Sequence, residues 1–144
     1  MTIVLRTASA KEIHLLYAQL PEFDVRHSLL DIEMQLHNHS HRLLLTEVDG
    51  CPAGFVSGYA LSDTLFHCWL GGVVPGFRRR GLARLLWAEL EQWARMQGYR
   101  KISVNTRNRF QGMLLFLITN HYQLTRLDVR DKEEENLIWL TKSL

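Results

Sequence analysis

The segment from Val73 to Ala83 constrains the fold more than any other part of this chain. It ends an apolar run and opens an amphipathic stretch, with the pattern Arg-x-x-Gly-x-Ala at Arg78, Gly81 and Ala83. A strand that turns through glycine into a helix leaves backbone N–H groups without partners, beside the positive end of the helix dipole. Because small residues let an anion approach that backbone closely, the segment predicts a strand, a pyrophosphate cradle and then a helix.

The spacing of this cradle differs from that of other phosphate-binding motifs. The chain contains neither Gly-x4-Gly-Lys-[Ser/Thr], which binds nucleoside triphosphates, nor Gly-x-Gly-x-x-Gly, which binds dinucleotides. Residues 73–83 read Val-Val-Pro-Gly-Phe-Arg-Arg-Arg-Gly-Leu-Ala. They resemble motif A of the GNAT superfamily of acetyl-CoA-dependent N-acyltransferases, Val-x-Pro-x-x-Arg-x-x-Gly-x-[Gly/Ala]. The resemblance implies acetyl-CoA as co-substrate.

The other patterns predict one α/β domain over residues 1–144. Ser9 and Glu12 form a capping box, Asp49-Gly50 is typical of a hairpin turn, and Gly71-Gly72 indicates a bulge or a close backbone approach. In the helix after Gly81 we expect an exposed Glu91–Arg95 pair and an apolar stripe that comprises Leu82, Leu85, Leu86, Leu90, Trp93 and Ala94. The predicted strands cover 3–6, 42–48, 53–61, 65–74, 101–104, 123–129 and 137–142, and the predicted helices lie near 9–20, 28–36, 81–97 and 108–120.

This order of elements resembles the GNAT fold across essentially the entire chain. The resemblance implies a mixed, largely antiparallel sheet of about seven strands with about four helices, in which the fourth and fifth strands splay apart around the pantetheine arm. In the family a late helix ends in Gly-Phe, where this chain has His121-Tyr122. Many members carry a tyrosine five residues earlier as general acid, and here that position is Leu117.

Cofactor contacts follow from the same resemblance. The backbone and side chains from Arg79 to Arg84 are expected to meet the pyrophosphate, and Val73 and Val74 to offer backbone partners to pantetheine. A strand-to-helix turn with exposed arginines is the alternative that sequence leaves open. The expected cofactor-binding residues are Val73, Val74, Arg78, Arg79, Arg80, Gly81, Leu82, Ala83, Arg84 and Asn108.

The catalytic groups are harder to assign from sequence. Residues 71–73 are the expected source of a backbone N–H for the oxyanion, although a simple bulge has the same geometry. An aliphatic amine has an ordinary pKa of about 10.4, so transfer needs a proton acceptor. His67, on the strand that leads to the cradle, is the first candidate and Glu47 the second; Tyr122 and Tyr59 are candidates for the acid.

Charge and composition exclude some classes of protein. Residues 78–109 hold nine cations and two carboxylates, so this segment carries +7 while the rest of the chain sums to −5. A local basic zone suits a compact polyanion rather than extended nucleic acid. His37, His39 and His41 lie in a polar connector without further ligands, so no metal site is predicted. Cys68 faces away from His67 if both lie on a strand, which favours packing over nucleophilic activation.

The acceptor and the partners remain open at this point. We expect a small-molecule amine or a protein or peptide amine, bound near residues 21–41 and an acidic turn at 131–136 that would suit a cationic amine. No apolar run reaches the roughly 20 residues that span a bilayer, and two cysteines give no disulfide framework, so a cytoplasmic protein without nucleic-acid or membrane partners is expected. Homodimerisation through a sheet edge is possible. The alternatives to an enzyme are a non-catalytic acyl-CoA-binding module and a basic nucleic-acid-binding protein.

Overall fold

The computed structural model describes residues 1–23 and 27–144, and these residues form a seven-stranded sheet with four α-helices. This agrees with the predicted fold class. The strands are β1 (Ile3–Thr7), β2 (His41–Val48), β3 (Cys51–Ala60), β4 (Leu65–Val73), β5 (Lys101–Arg107), β6 (Gln123–Asp128) and β7 (Leu137–Ser143). The helices are α1 (Ala10–Tyr17), α2 (Leu29–His37), α3 (Leu82–Met96) and α4 (Gln111–Thr119). None of the helices in the described ranges is long and apolar enough to cross a bilayer.

The strands are ordered β1-β2-β3-β4-β5-β7-β6 across the sheet. Every neighbouring pair is antiparallel except β4 and β5, which run parallel. The predicted hairpin turn at Asp49-Gly50 joins β2 to β3 with positive φ at both residues. Helices α1 and α2 cover one face of the sheet, and α3 and α4 pack against the other.

Strands β4 and β5 diverge at the centre of the sheet. Residues Leu65–Cys68 of β4 pair with Lys101–Val104 of β5. Both strands continue for several residues beyond these, but there they no longer pair with each other. A parallel pair that separates in this way leaves backbone N–H and C=O groups of both strands facing a gap. The predicted splay between the fourth and fifth strands is therefore present.

A bulge in β4 lies just before the gap opens. The register of β3 against β4 passes from Gly58–Cys68 to Val56–Gly71, so Trp69 and Leu70 both lie opposite Ser57. The Ser57 hydroxyl donates to the Leu70 carbonyl at 2.9 Å and accepts from the Leu70 N–H at 3.1 Å, which satisfies the extra residue. The bulge is thus at 69–70 and not at Gly71-Gly72 as predicted. The close approach predicted for these glycines is correct, because a Cβ on Gly71 would lie 2.5 Å from Trp87 Cη2.

Local capping signals place the first two helices. Ser9 and Glu12 form the predicted capping box at α1, and Ser28 and Asp31 form a second one at α2. Both helices pack on the sheet through apolar residues that meet β2, β3 and β4. The buried members of this cluster are Ile13, Leu16, Tyr17, Leu20, Ile32, Leu36, Leu43, Leu45, Phe55 and Leu70.

Two predictions about α3 are wrong. Leu85 is exposed rather than part of the apolar stripe. Glu91 is buried and does not pair with Arg95, whose guanidinium instead donates to Gln92. The Glu91 carboxylate accepts from Tyr122 Oη and from Lys142 Nζ, each at 2.7 Å. Tertiary partners on β7 and after α4 therefore replace the expected pair within the helix.

Candidate active site

A cleft of about 1060 Å³ passes through the gap between β4 and β5. On the side of α3 and α4 its lining includes Trp87, Met113 and Phe116. On the side of α1 and α2 it includes Tyr17 and Trp69. The turn before α3 borders the cleft at one end, so the predicted cradle and the divergence of the strands belong to the same cavity.

Two left-handed residues shape the cradle. The backbone passes through a short 3₁₀ turn at Pro75–Phe77 and then adopts φ of 63° at Arg79 and 77° at Gly81, the N-cap of α3. The first helical hydrogen bond runs from the Leu85 N–H to the Gly81 carbonyl at 3.1 Å. The N–H groups of the residues between them have no acceptor within the helix. This backbone forms an anion-binding concavity at the positive end of the helix dipole.

The four arginines of this segment differ in what they contact. Arg79 and Arg84 line the cleft and are exposed to solvent. Arg78 also lines it, but its Nε donates to the Val73 carbonyl at 2.9 Å and its guanidinium pairs with Glu22. Arg80 is absent from the lining, because its guanidinium lies over the Phe77 ring and beside Met1 Sδ. Arg79 and Arg84 are therefore the arginines best placed to meet a bound polyanion.

Some of the other residues that were expected to bind the cofactor line the cleft, and others do not. Val73, Gly81, Leu82 and Ala83 line the cleft. Val74 does not, because its N–H donates to the Ala53 carbonyl and its side chain packs in the cluster beneath α1 and α2. Asn108 also lies outside the lining: its side-chain amide donates to the Glu133 carbonyl at 3.0 Å and its N–H to the Asn136 carbonyl. The structure thus assigns Asn108 to holding the acidic turn.

Trp87 on α3 forms the floor of the gap. Its six-membered ring fits against Gly71, where any larger residue on β4 would collide with it, and it packs edge-on against Phe116 with ring centroids 5.6 Å apart. Its indole Nε1 is buried and makes no hydrogen bond within the described ranges. Cys68 lies beside it in the same core cluster, and burial raises the pKa of its thiol far above its usual value. The prediction that Cys68 is a packing residue agrees with this environment.

His67 is buried and lies outside the lining of the cleft. Its Nδ1 lies 2.8 Å from Ser103 Oγ, and its ring packs against Tyr59 and Trp139 with centroid distances of 5.6 Å to each. Burial lowers the pKa of the imidazole from 6.5 to about 4. His67 does not line the cleft, so the structure does not place this expected base in contact with an acceptor there.

The other candidate acids and bases also lie elsewhere. Glu47 pairs with Arg6 across β1 and β2, with Oε1 3.4 Å from Nε. Tyr122 donates to Glu91, and burial together with that carboxylate raises the pKa of its hydroxyl strongly. Burial also raises the pKa of Tyr59. Leu117 is buried in the core, and the sequence of α4 contains no tyrosine.

An aromatic wall on the side of α1 and α2 was largely missed by sequence reasoning. It comprises Tyr17, Phe23, His27, Trp69 and Phe110, all of which line the cleft. Of these residues the sequence points only to Trp69, because a tryptophan that is not buried in the core can line an acceptor pocket. No local pattern marks Phe23 or Phe110, because they come from a loop and from the N-cap of α4, 87 positions apart.

Two arginines stand beside this wall. Arg107 ends β5 and Arg109 follows it, and both line the cleft. Glu135 of the acidic turn lies between them, 3.7 Å from Arg107 Nε and 3.2 Å from Arg109 Nε. Within the expected acidic rim, the carboxylate of Glu135 is therefore engaged by these two cations.

Metal ligation finds no support from geometry in the described ranges. No group of three or more His, Cys, Asp or Glu side chains is close enough to hold an ion there. His39 Nδ1 lies 3.1 Å from the Ala60 carbonyl, and His41 Nδ1 lies 2.9 Å from the His39 carbonyl. Two of the three histidines noted in the sequence are thus engaged with backbone.

Comparison with known proteins gives one family and many similar structures. The model of the Acetyltransferase (GNAT) family matches residues 10–116. No curated protein matches the sequence. Ard1 from Thermoplasma volcanium is 19% identical with a TM-score of 0.82, and the alignment covers 100% of this chain and 99% of that chain. The ribosomal-protein-S18-alanine N-acetyltransferase from Escherichia coli is 12% identical with a TM-score of 0.84, covering 99% and 94%.

A third structure contains a ligand. The GNAT family acetyltransferase from Elizabethkingia anophelis, with acetyl-CoA bound, is 18% identical to this chain with a TM-score of 0.75, and the alignment covers 99% of this chain and 98% of that one. At these identities the structural likeness establishes a shared fold and leaves the substrates of this chain open.

Proposed function

Since this chain belongs to the acetyltransferase (GNAT) family, we propose that it transfers an acetyl group from acetyl-CoA to a primary amine. The observation that carries the proposal is the continuity of the cradle with the gap between β4 and β5. One end offers the N–H groups of the first turn of α3, together with Arg79 and Arg84, to a pyrophosphate. The other end of the cleft reaches the aromatic wall, where an amine can approach the thioester.

The gap suits the pantetheine arm of acetyl-CoA. Beyond Cys68 the edge of β4 that faces β5 has no strand partner among the described residues, so an extended chain with amide groups can pair with it. Trp87, Met113 and Phe116 offer apolar surface to the methylene groups. The Leu70 N–H is already bonded to Ser57, so a backbone donor to the thioester oxygen must come from Gly71 or its neighbours.

The reaction joins the amine to the acetyl carbon and releases CoA. The neutral amine nitrogen attacks the thioester carbonyl carbon, the carbonyl oxygen becomes an oxyanion, and the C–S bond then breaks. The products are an amide and CoA thiolate, and the proton lost from the nitrogen goes to a base or to water. Glu22 and His27 both line the cleft near the aromatic wall. Glu22 is paired with Arg78, so we propose His27 as the proton acceptor.

Calorimetric titration of acetyl-CoA, desulfo-CoA and ATP into the purified protein tests the first half of the proposal. The Arg79→Gln/Arg84→Gln variant should bind acetyl-CoA about tenfold to hundredfold more weakly, because each arginine loses a charge-assisted contact with phosphate. Arg80→Gln/Arg95→Gln is the matched control. It removes the same charge from side chains that do not line the cleft, and its affinity should stay near that of the wild type.

Release of CoA thiol with a panel of primary amines tests the second half. Turnover with any amine supports the enzyme, and His27→Gln should then lower kcat while leaving the Kd for acetyl-CoA unchanged. Binding without thiol release from any amine would instead indicate a non-catalytic acyl-CoA-binding module. If no CoA species binds, the acyltransferase proposal fails, and the basic zone would next be tested for salt-dependent binding of nucleic acid.

A further inference from the structure

The aromatic wall forms a continuous surface on the acceptor side of the cleft. Phe23 links its two halves, with ring centroids 5.3 Å from Tyr17 and 5.7 Å from Phe110. His27 packs edge-on against Trp69 at 5.2 Å. The bulge at 69–70 places both Trp69 and Leu70 in the cluster beneath α1 and α2. Packing between the rings therefore holds the wall in place. A planar apolar group of a ligand can pack against several ring edges and faces of this wall.

Cationic groups share this side of the sheet. Alternation along β5 puts Ile102 and Val104 in the cluster beneath α3, so Asn105 and Arg107 project toward the aromatic wall. Arg109 lies over the Phe110 ring, with its guanidinium carbon 4.5 Å from the centroid. The wall and the two arginines thus form one chamber, which we call the acceptor chamber.

The described residues of the acceptor chamber carry more positive than negative charge. Within the part of the chain that the structure describes, Arg107 and Arg109 face a single carboxylate, Glu135. Each guanidinium has five N–H donors, whereas the contacts with Glu135 and its carbonyl use one from Arg109 and two from Arg107. Among the cleft-lining residues in the described ranges, Glu22 is the one carboxylate, and Arg78 neutralises it. Surplus guanidinium donors therefore remain for an anionic group on a substrate.

We propose that the acceptor is a small primary amine that also carries a carboxylate and an aromatic side chain, that is, an aromatic α-amino acid or a close analogue. The carboxylate would pair with Arg109 and Arg107, the ring would pack against Phe23, Trp69 and Phe110, and the amine would face the gap between β4 and β5. This inference rests on the proposed acetyl transfer. It disfavours a polyamine, whose cations would meet the excess positive charge of the two arginines.

A matched panel of acceptors tests this assignment through kcat/KM for CoA thiol release. L-Phenylalanine should exceed 2-phenylethylamine, which lacks the carboxylate, by about tenfold to hundredfold, because the arginines would lose their partner. It should exceed L-alanine, which lacks the ring, by a similar factor. Preference for 2-phenylethylamine, spermidine or an unblocked peptide over L-phenylalanine would overturn the inference.

Variants connect the preference to the acceptor chamber. In Arg109→Gln the ratio of kcat/KM for L-phenylalanine to that for 2-phenylethylamine should fall about tenfold, since only the first substrate uses the guanidinium. The surface control Arg95→Gln should keep the wild-type ratio. A ratio unchanged in Arg109→Gln contradicts the proposed carboxylate contact, whereas a merely structural role of Arg109 would lower both rates together.

The same experiment separates this inference from the proposed function. Absence of acetyl-CoA binding, or binding without thiol release from any amine, would defeat the proposed function itself. Thiol release from other amines with little release from aromatic amino acids would defeat only the acceptor assignment.

Discussion

Individual side chains differ most from the predictions made from the sequence where burial brings together residues that are far apart along the chain. Glu91 illustrates this, because i, i+4 spacing to Arg95 is typical of an exposed helical pair. In the structure its carboxylate is buried and bonded to Tyr122 and Lys142. His67 is similar: a strand histidine that suggested catalysis is enclosed by Ser103, Tyr59 and Trp139.

Replacing Glu91 by alanine should lower the free energy of unfolding by about 3 kcal/mol, because it leaves the Lys142 ammonium and the Tyr122 hydroxyl without their shared acceptor. Urea denaturation followed by circular dichroism measures the change. Glu89→Ala, on the exposed face of the same helix, is the matched control and should change stability by less than about 0.5 kcal/mol. Equal losses in the two variants would show that the buried triad contributes nothing specific.

His67 should make stability depend on pH between about 4 and 6.5. Its folded pKa is about 4 against an ordinary 6.5, so the unfolded chain binds a proton in this window and the folded chain does not. The contribution of His67 to the free energy of unfolding is therefore fully present above pH 6.5. About 2–3 kcal/mol of it is lost as the pH falls toward 4.

Urea titrations of the wild type and of His67→Gln at pH 4.5, 5.5, 6.5 and 7.5 measure this contribution. The difference in unfolding free energy between the two proteins should shrink as the pH is lowered, because glutamine does not titrate. A constant difference across the series would mean that the imidazole is protonated as easily in the folded state as in the unfolded one.

At the scale of elements, α3 and α4 end in the same motif with different residues. After α3, the Gly98 N–H donates to the Arg95 carbonyl and the Tyr99 N–H to the Ala94 carbonyl. After α4, the His121 N–H donates to Ile118 and the Tyr122 N–H to Leu117. Both motifs require a left-handed residue, with φ of 93° at Gly98 and 72° at His121. His121 therefore occupies a position whose backbone is that of a glycine.

Substitutions at the two left-handed positions, His121 and Gly98, should have opposite effects on the free energy of unfolding. His121→Gly removes the steric cost of a Cβ at positive φ and should raise the free energy of unfolding by about 1 kcal/mol. Gly98→Ala introduces that cost and should lower it by a similar amount. Both are measured by denaturation without ligand. Destabilisation by His121→Gly would show that the imidazole makes contacts worth more than the backbone strain.

At the scale of the whole molecule, the two largest core clusters of the described residues share one sheet. Strand β3 contributes Val56 to the cluster beneath α3 and Phe55 to the cluster beneath α1 and α2. Strand β4 does the same with Phe66 and Leu70. Because the same two strands carry both clusters, loss of either layer removes support from the other. We therefore propose that the chain is a single folding domain.

Thermal unfolding should accordingly show one cooperative transition, in which the calorimetric enthalpy equals the van't Hoff enthalpy. Differential scanning calorimetry at several scan rates measures both quantities. Addition of acetyl-CoA should move the whole transition to higher temperature, since a ligand that binds only the folded state stabilises all of it. Two resolved transitions, or a shift of only part of the signal, would contradict a single cooperative unit.

Local features of this protein could be predicted from the sequence alone. The strand, turn and helix of 73–83, the capping box at Ser9 and Glu12, and the hairpin at Asp49-Gly50 each depend on residues a few positions apart. Steric limits and hydrogen bonds between near neighbours fix such features. The family and its sheet were expected from the resemblance of residues 73–83 to motif A and of the order of elements to the GNAT fold.

The partners of individual side chains were decided by the tertiary structure. His67 meets Ser103 across 36 positions, and Glu91 meets Lys142 across 51. The side chains that line the acceptor chamber likewise come from α1, the loop after it, β4, the end of β5 and the start of α4. Such contacts depend on strand order and on one bulge in β4, and because a one-residue shift of register exchanges the two faces of a strand, no short pattern specifies them.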